Sequence, residues 1–395
     1  MSATRLRIGY IPLVDAAALL VAADHGFSAA EGLDIDLVRE VSWSNVRDKL
    51  NIGLFDAAHM LSPLTIASSL GIGHVRVPII TPFNFALNGN AITVSASLFA
   101  ELAALADGDL ADPKVSARAL ARVVAIRKEQ GGEPLAFGMT FPFSNHNYQL
   151  RFWMAAGGID PDEDVRLVVL PPPYMVESLA GGHVDGFCVG APWNSVAVES
   201  GVGHILHFGC EIMQRASEKV LAVREGWANE NPAVLAALIR ALARAAAFIE
   251  DVEAHPRVAA TVARRLEVDP SLVLRTLSGS LKLAPDGTTR ANNRYIMIGR
   301  EAASRPDPVQ ADWIYAQIVR WGQAPLTDEL QAAARHAFRS DLFDAALGQQ
   351  PPRPSEPSDG IGAFVGPAFV ADDIAGHLAA WRNFRGGKPR LSIVR

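Results

Sequence analysis

Short apolar segments alternate with helical segments through the first 94 residues, and this alternation limits the fold more than any other feature of the sequence. An apolar segment at 6–10 predicts a buried strand, and a small-residue segment at 14–25 predicts a helix. Further strands are predicted at 33–38, 57–61 and 75–81, with helices between them. This βαβαβ order is typical of a parallel sheet whose faces are covered by helices.

A second alternation of the same kind follows the first. The segment 88–94 is predicted to leave the first lobe as a strand, and 219–223 is predicted to return the chain to it. Residues beyond Trp227 are almost wholly helical in pattern. A chain that leaves one α/β lobe, builds a second and returns is typical of a hinged two-lobe binder. We therefore expect an α/β fold of two lobes with a helical C-terminal extension.

The same pattern predicts the domain boundaries. Lobe 1 is expected to comprise 1–94 and about 215–348 with the C-terminal helices, and lobe 2 to comprise 95–214. The Pro- and Ser-rich stretch 349–359 predicts a linker, and 360–395 is expected to pack back on lobe 1.

Ligands of open α/β sheets lie outside the carboxyl ends of the strands. The loops after Tyr10, Val38, Leu61, Met139 and Val189 are therefore expected to face one cleft.

Composition excludes several classes of protein. The formal net charge of −6 argues against nucleic-acid binding through phosphate neutralisation. Two cysteines exclude a disulfide framework and a Cys-rich zinc module. We find no apolar run of the roughly eighteen residues that crosses a membrane. The first predicted strand begins at Leu6, which leaves no room for a leader peptide, so a cytoplasmic location is expected.

We find no motif that predicts catalysis. Phosphate-loop, H-E-x-x-H and G-x-S-x-G motifs are absent. His204 and His207 have no third metal ligand nearby in the sequence, and Cys188 lies in an apolar strand without a basic activator. The prediction is a binding protein, not an enzyme, with no cofactor and no metal.

Six segments resemble the nitrate- and bicarbonate-binding proteins of ABC transporters (NrtA/CmpA type). They occur in family order and cover most of residues 5–225. The segments are GYIPL (9–13), WSNVRDK (43–49), DAAHML (56–61), FPFSNHNYQLR (141–151), PPPYMV (171–176) and VDGFCVGAPWN (184–194). The resemblance implies a periplasmic-binding-protein-like fold (type II). One departure is Ala191, which stands where the family commonly has an acidic residue before Pro-Trp-Asn.

Because no leader is expected, the chain is placed nearer the cytoplasmic nitrate/nitrite sensors of that family (NasS type). The resemblance to them implies a protein that binds nitrate or nitrite between its lobes and thereby releases an antiterminator or response-regulator partner (NasT type). It implies no direct contact with nucleic acid or membrane. Two alternatives stay open: a substrate-binding protein of an ABC transporter for nitrate, nitrite or bicarbonate, and an enzyme on the same fold, such as a relative of thiamine-pyrimidine synthases.

The resemblance also implies the residues that bind the anion. Lys219 occupies the position where nitrate binders carry a lysine and bicarbonate binders an acidic residue; otherwise it is a solvent-facing lysine at a strand edge. His146, at a predicted helix start, can donate a hydrogen bond to an anion, and Trp43 offers a flat face and one N–H. The Lys219→Ala variant is expected to lose nitrate binding and to keep its fold.

Four further residues are predicted to contact the anion. Asn90 matches a position where relatives present a side-chain amide. Val189 and Gly190 are expected to offer backbone N–H groups at a strand end, and His59 is a weaker candidate that could simply pack in the core.

Overall fold

The computed structural model describes residues 3–348 and 360–384, and its secondary structure is mixed α and β. The predicted linker, 349–359, and the last residues of the predicted C-terminal segment, 385–395, lie outside the described residues.

The strands are β1 (Thr4–Tyr10), β2 (Leu33–Arg39), β3 (Ala57–Leu61), β4 (Ile79–Asn88), β5 (Asn90–Ser95), β6 (Ala136–Met139), β7 (Arg166–Val169), β8 (Gly186–Gly190), β9 (Gly203–Phe208), β10 (Met213–Gln214), β11 (Ser217–Arg224), β12 (Ser280–Lys282), β13 (Thr289–Ala291), β14 (Ile296–Met297) and β15 (Gly362–Ala363).

The α-helices are α1 (Ala17–Asp24), α2 (Trp43–Asn51), α3 (Ser62–Leu70), α4 (Ala96–Leu105), α5 (Pro113–Glu129), α6 (Asn145–Ala156), α7 (Met175–Ala180), α8 (Trp193–Glu199), α9 (Gly209–Ile212), α10 (Glu225–Glu230), α11 (Pro232–Glu250), α12 (His255–Leu266), α13 (Pro270–Ser278), α14 (Pro308–Arg320), α15 (Asp328–Ala337), α16 (Ser340–Leu347) and α17 (Ile374–Phe384). Single 3₁₀ turns lie at Val14–Ala16, Ala29–Glu31, Pro172–Tyr174, Val252–Ala254 and Arg300–Ala302.

The first sheet has six strands in the order β14-β4-β11-β3-β1-β2. β1 runs parallel to β2 and β3, as the βαβαβ pattern predicts, whereas β11 is antiparallel to both β3 and β4. The second sheet has five strands in the order β7-β6-β8-β5-β9. Each sheet carries its own helices, so the expected two-lobe α/β fold is confirmed.

The chain passes from the first sheet to the second at Asn88 and Gly89. Asn88 has a φ of 62° and Gly89 has a φ of 95°. Such values favour glycine, and asparagine tolerates them better than most residues do. The predicted strand 88–94 is therefore divided here, with β4 ending at Asn88 and β5 beginning at Asn90.

The strand predicted at 75–81 is wrong in position, because β4 begins at Ile79 and continues to Asn88. β4 includes Pro82, although proline lacks the N–H that a central strand uses. In the structure, the pairing with β11 is irregular where Leu221 and Val223 oppose Phe83 and Ile80, on either side of that proline. β14 pairs only with Asn88 and Leu87, so no ladder on that side requires the missing N–H.

Helix α11 is 19 residues long and, by length and composition, apolar enough to cross a membrane. This differs from the expectation that no apolar run approaches that length. Half of its most apolar window is buried, and it packs against α1 and α16. Arg240 on the same helix forms an ion pair with Glu31. These contacts are those of a core helix.

The C-terminal segment joins both parts of the molecule. Its strand β15 pairs with β10, and α17 packs against α14. The ring of Trp381 also lies 5.5 Å from that of Phe152 on α6, a helix that the sequence predicts in lobe 2. The segment is thus not confined to lobe 1, and the predicted lobe boundaries stay a prediction.

Candidate functional site

Lys219 lies at the centre of a buried polar cluster between the two sheets. Its strand, β11, runs between β3 and β4, and its side chain is fully buried. The ammonium nitrogen forms ion pairs with Glu218 Oε1 at 2.8 Å and with Asp15 Oδ2 at 3.0 Å. The alternative of a solvent-facing lysine at a strand edge is therefore wrong.

Glu218 and Lys219 are neighbours in a strand, yet their side chains meet. Successive side chains of a regular strand point to opposite faces. The pairing of β11 with β4 is irregular between Ser217 and Lys219, and again between Lys219 and Val220. Irregularities of this kind re-aim side chains and are common beside functional sites.

Asp15 and His59 add a second buried pair to the cluster. Asp15 lies in the 3₁₀ turn that follows β1, and His59 lies in β3. His59 Nε2 is 2.8 Å from Asp15 Oδ1, and both side chains are almost completely buried. Asp15 thus links His59 to Lys219.

An amide network holds Glu218 from the side of the second sheet. Asn90 Nδ2 donates to Glu218 Oε2 at 2.8 Å and to Gln149 Oε1 at 3.2 Å. The thiol of Cys188 donates to the same Gln149 oxygen at 3.3 Å. Burial raises the pKa of that thiol well above its usual value, so Cys188 is an inert buried group, as predicted.

His146 lies in the first turn of α6, where the helix dipole favours an anion. Ser144 caps this helix through a hydrogen bond from the backbone N–H of Asn147. His146 Nδ1 is 2.9 Å from Thr140 Oγ1, and its Nε2 is 3.6 Å from Glu218 Oε1. One ring nitrogen therefore holds the side chain in place, and the other faces the charged cluster.

Trp43 and the end of β8 complete the site. Lys219 Nζ lies 5.4 Å from the centre of the Trp43 ring, in cation–π range. Asn90 pairs with Gly190 in the second sheet, and Val189 precedes that glycine in β8. A Cβ atom on Gly190 would lie 3.3 Å from Asp15 Oδ2 and 3.5 Å from Asn90 Oδ1. The glycine therefore permits the close approach of these groups.

The structure thus brings the predicted site residues together at one place. Val189 joins them only as the residue before Gly190 in β8. The others come from strands and from the first turns of helices, and they are Trp43, His59, Asn90, His146, Gly190 and Lys219. Their role as anion ligands stays a prediction.

Several buried polar atoms of these residues, and one of Asn145 beside His146, lack a hydrogen-bond partner among the described residues. A buried polar atom without a partner is costly, so each of these atoms needs a water molecule or a ligand as its partner. The atoms are Trp43 Nε1, His59 Nδ1, Asn90 Oδ1, Asn145 Oδ1 and His146 Nε2.

The charges of the cluster are fixed by mutual pairing. Burial alone would raise the pKa of Asp15 and of Glu218, but Lys219 acts together with His59 on Asp15 and with His146 on Glu218, and the combined effect lowers both pKa values. Burial likewise opposes the charge of Lys219, and the two carboxylates outweigh it, so its pKa is raised. Burial lowers the pKa of His146 to about 4 despite Glu218, and it lowers the pKa of His59 despite Asp15. Near neutral pH both histidines are therefore neutral, and the cluster carries one net negative charge.

This pairing corrects the expectation that Lys219→Ala keeps the fold intact. The prediction assumed a cation under charge strain in a cleft. The structure instead places Asp15 and Glu218 against the ammonium group, both fully buried. Removing one partner of a buried ion pair leaves an uncompensated charge and is strongly destabilising.

The sequence analysis missed Asp15, Glu218 and Gln149. Asp15 stands alone in an apolar stretch, and Gln149 lies inside a helix. Glu218 precedes Lys219 directly, which in a regular strand predicts the opposite face. A lone acid within an otherwise apolar segment is the one signal that could have found Asp15, because buried acids need partners.

Two other groups of polar side chains were candidates for a metal site or a reactive site. Among the described residues, no group of three metal-ligating side chains converges. Ser116 Oγ lies 2.6 Å from His207 Nε2 and also accepts from Trp153 Nε1 at 2.9 Å. Both Ser116 and His207 are fully buried, so this pair packs the second lobe. His204 stacks on the ring of Phe99.

Comparison with known proteins identifies relatives of the whole chain. A family model described as the NMT1-like family matches residues 2–263. The nitrate/nitrite binding protein NrtA of Synechococcus elongatus is 30% identical over 370 residues, which are 90% of this chain and 81% of that protein. The nitrate import ATP-binding protein NrtC of Synechocystis sp. is 32% identical over 381 residues. This chain spans about half the length of NrtC, 54%, and a similar share of its bicarbonate counterpart CmpC, 56%.

Solved structures agree with these relatives. The crystal structure of the periplasmic nitrate-binding protein NrtA from Synechocystis PCC 6803 matches with a TM-score of 0.86 and 25% identity, covering 96% of this chain and 98% of that one. The alkanesulfonate-binding protein SsuA from Xanthomonas axonopodis, bound to MOPS, matches with a TM-score of 0.54 and 18% identity, covering 80% and 94%. The second match shows a shared fold alone.

Proposed function

This chain belongs to the NMT1-like family, and on that premise we propose that it is a nitrate-binding protein that holds the anion between its two lobes, as the substrate-binding component of an ABC transporter. The similarity to NrtA over most of both chains supports nitrate as the ligand. The observation that carries the proposal is a fully buried Lys219 surrounded by polar atoms that lack hydrogen-bond partners among the described residues.

The donors of the site fit a small planar anion. An ammonium group has three N–H donors, and the two carboxylates at Lys219 use two of them. The remaining donor, the indole N–H of Trp43 and a ring nitrogen of His146 are available to nitrate. At about 4 Å and an effective dielectric near 20, one charge pair contributes about 4 kcal/mol before desolvation.

Nitrate and bicarbonate make different demands on the acceptors of the site. Bicarbonate differs from nitrate in carrying an O–H donor, which needs an acceptor. Both oxygens of Glu218 are engaged, one by Lys219 and one by Asn90. Asp15 Oδ2, Asn90 Oδ1 and Asn145 Oδ1 have no hydrogen-bond partner among the described residues, so acceptors for that O–H are present. The choice of nitrate therefore derives from the similarity to NrtA.

Calorimetric titration with potassium nitrate tests the proposal, with nitrite, bicarbonate and sulfate titrated in parallel. Nitrate has four heavy atoms, so a ceiling of about −1.5 kcal/mol per atom limits its binding free energy to about −6 kcal/mol, which corresponds to a Kd between about 1 mM and about 40 µM for a well-formed site. We expect binding of nitrate or nitrite in that range, weaker bicarbonate binding and no sulfate binding. Heat from bicarbonate alone would overturn the choice of ligand.

A matched pair of variants locates the site. Trp43→Phe keeps the aromatic face and removes the N–H donor, so we expect weaker nitrate binding. Trp227→Phe, on α10, serves as the control, because this tryptophan packs against the core of the first lobe. Equal loss of affinity in both variants would contradict the assigned site.

A sensor role is a separate proposal that derives from the sequence resemblance. In it, a cytoplasmic protein of this kind holds an antiterminator until nitrate or nitrite binds. Size-exclusion chromatography with an antiterminator of the NasT type from the same organism, with and without nitrate, tests it. A complex that dissociates on addition of nitrate supports the sensor, and the absence of a complex supports the transporter component.

A further inference from the structure

The net charge of the site opposes an anion that arrives alone. Asp15, Glu218 and Lys219 together carry one negative charge, and all three are fully buried. A monovalent anion would bring the buried charge to −2. Buried charge that is not compensated is costly, because the interior screens it poorly.

A buried base stands beside this charge. His146 Nε2 has no hydrogen-bond partner among the described residues and lies 3.6 Å from Glu218 Oε1. Its Nδ1 is held by Thr140 Oγ1 at 2.9 Å, a hydroxyl that can either donate or accept. The ring can therefore take a second proton without losing its anchor.

We propose that the site takes up its anion together with a proton, which is held on His146. The proton restores the charge that the site has before binding, and with both ring nitrogens protonated Nε2 is a donor between Glu218 and the anion whichever tautomer the neutral ring adopts. This inference rests on the proposed binding of a monovalent oxyanion. It adds that the site selects ions whose single charge one proton can balance.

The surroundings of His146 support this direction. The charged groups that face it are Glu218 and Lys219 on β11 and Asp15 after β1. Burial lowers the pKa of His146 to about 4, so near neutral pH the ring is neutral and able to accept a proton. A bound anion in contact with the ring favours the charged form and raises that pKa. The start of α6 favours the anion as well.

Two other titratable side chains of the cluster are less suited to hold the proton. His59 Nε2 is already engaged by Asp15 at 2.8 Å, although its Nδ1 has no partner among the described residues. Burial raises the pKa of Cys188, so its thiol keeps its own proton at neutral pH. His146 is therefore the assigned acceptor, and His59 is the alternative that the variants separate.

Calorimetry in buffers of different ionisation enthalpy tests the proposal. Potassium nitrate is titrated into the full chain in PIPES and in Tris at one pH near neutrality. The dependence of the observed heat on the buffer gives the number of protons taken up. We expect the uptake of between about half a proton and one proton per nitrate. We also expect the affinity for nitrate to fall as pH rises, by up to about tenfold per pH unit. Nitrate binding with no proton uptake and no pH dependence overturns the inference but not the proposed function, whereas no nitrate binding at any pH overturns both.

Three conservative variants assign the proton. In Glu218→Gln the site is neutral before binding, so we expect nitrate to bind without proton uptake and more tightly than in the wild type at alkaline pH. His146→Gln is expected to lose proton uptake, and His59→Gln is expected to keep it. Unchanged uptake in Glu218→Gln contradicts the charge argument, and loss of uptake in His59→Gln alone contradicts the choice of His146. Thermal unfolding of each variant establishes that the fold is intact.

Discussion

The side chains of Glu218 and Lys219, adjacent in one strand, meet at 2.8 Å between Oε1 and Nζ. A regular strand would place them on opposite faces, and the irregular pairing of β11 with β4 on either side of Lys219 removes that constraint. The first sheet thereby presents a cation and its counter-charge to the same buried space. The chemistry of the site follows from this local departure from regular pairing.

Lys219→Met is expected to destabilise the protein. The variant leaves Asp15 and Glu218 buried without their shared cation, and breaking a buried pair in this way costs about 3–5 kcal/mol. Chemical denaturation measures the change in the free energy of unfolding. Lys128→Met is the control, because its ion pair with Asp164 lies at the surface and should contribute little. Equal stability of the two variants would mean that Lys219 does not balance the buried charges of Asp15 and Glu218.

Gly190→Ala is expected to weaken nitrate binding about tenfold or more and to change stability little. The added Cβ would lie 3.3 Å from Asp15 Oδ2 and 3.5 Å from Asn90 Oδ1, so neighbours within the site must move. Gly226→Ala, where nothing lies within 4 Å of an added Cβ, is the control. Titration of both variants with nitrate checks this expectation, and wild-type affinity in Gly190→Ala would indicate that the anion binds elsewhere.

The convergence of Trp43, His146 and Gly190 could be predicted from the sequence. Each follows or ends a strand, and the carboxyl ends of parallel strands share one edge of a sheet. The strands β5 and β11, by which the chain leaves the first lobe and returns to it, could also be predicted, because each is a short run of apolar residues. These features depend on periodicity, which a single sequence displays.

The partners of Lys219 could not be predicted, because they depend on local irregularity and on long-range contact. Glu218 faces the site only through the irregular pairing of β11, and Asp15 reaches it from a short turn within apolar sequence. β4 continues beyond the predicted end at residue 81 because Pro82 is tolerated where pairing is irregular. Neither the hydrophobic pattern of a sequence nor the strand propensity of its residues reveals irregular pairing or long-range contacts of this kind.

Trp193→Phe is expected to speed the release of nitrate. The indole N–H of Trp193, at the start of α8, donates to Pro12 O at 3.2 Å, and the backbone N–H of Val14 donates to Ala191 O at 2.8 Å. Both hydrogen bonds join the first lobe to the second across the site. Losing one bond of about 1 kcal/mol should raise the dissociation rate about fivefold. Stopped-flow fluorescence measures this rate, and an unchanged rate would show that this contact does not hold the lobes together.

Acid is expected to destabilise the fold through His207. Burial lowers its pKa to about 3, whereas an unfolded histidine has a pKa of about 6.5. The unfolded state therefore binds a proton first as pH falls below about 6.5, and the contribution of His207 to stability is lost progressively down to about pH 3. The slope is up to about 1.4 kcal/mol per pH unit. Denaturation at about pH 7 and about pH 5 should show a smaller loss in His207→Gln, and an identical loss would exclude His207 as the cause.

A crystal structure of the full chain grown in saturating nitrate tests the central claim most directly. We predict a planar ion between the lobes, within hydrogen-bond distance of Lys219 Nζ, His146 Nε2 and Trp43 Nε1. Density for nitrate only at the surface, with the cluster around Lys219 unchanged, would contradict the claim that this cluster is the anion site.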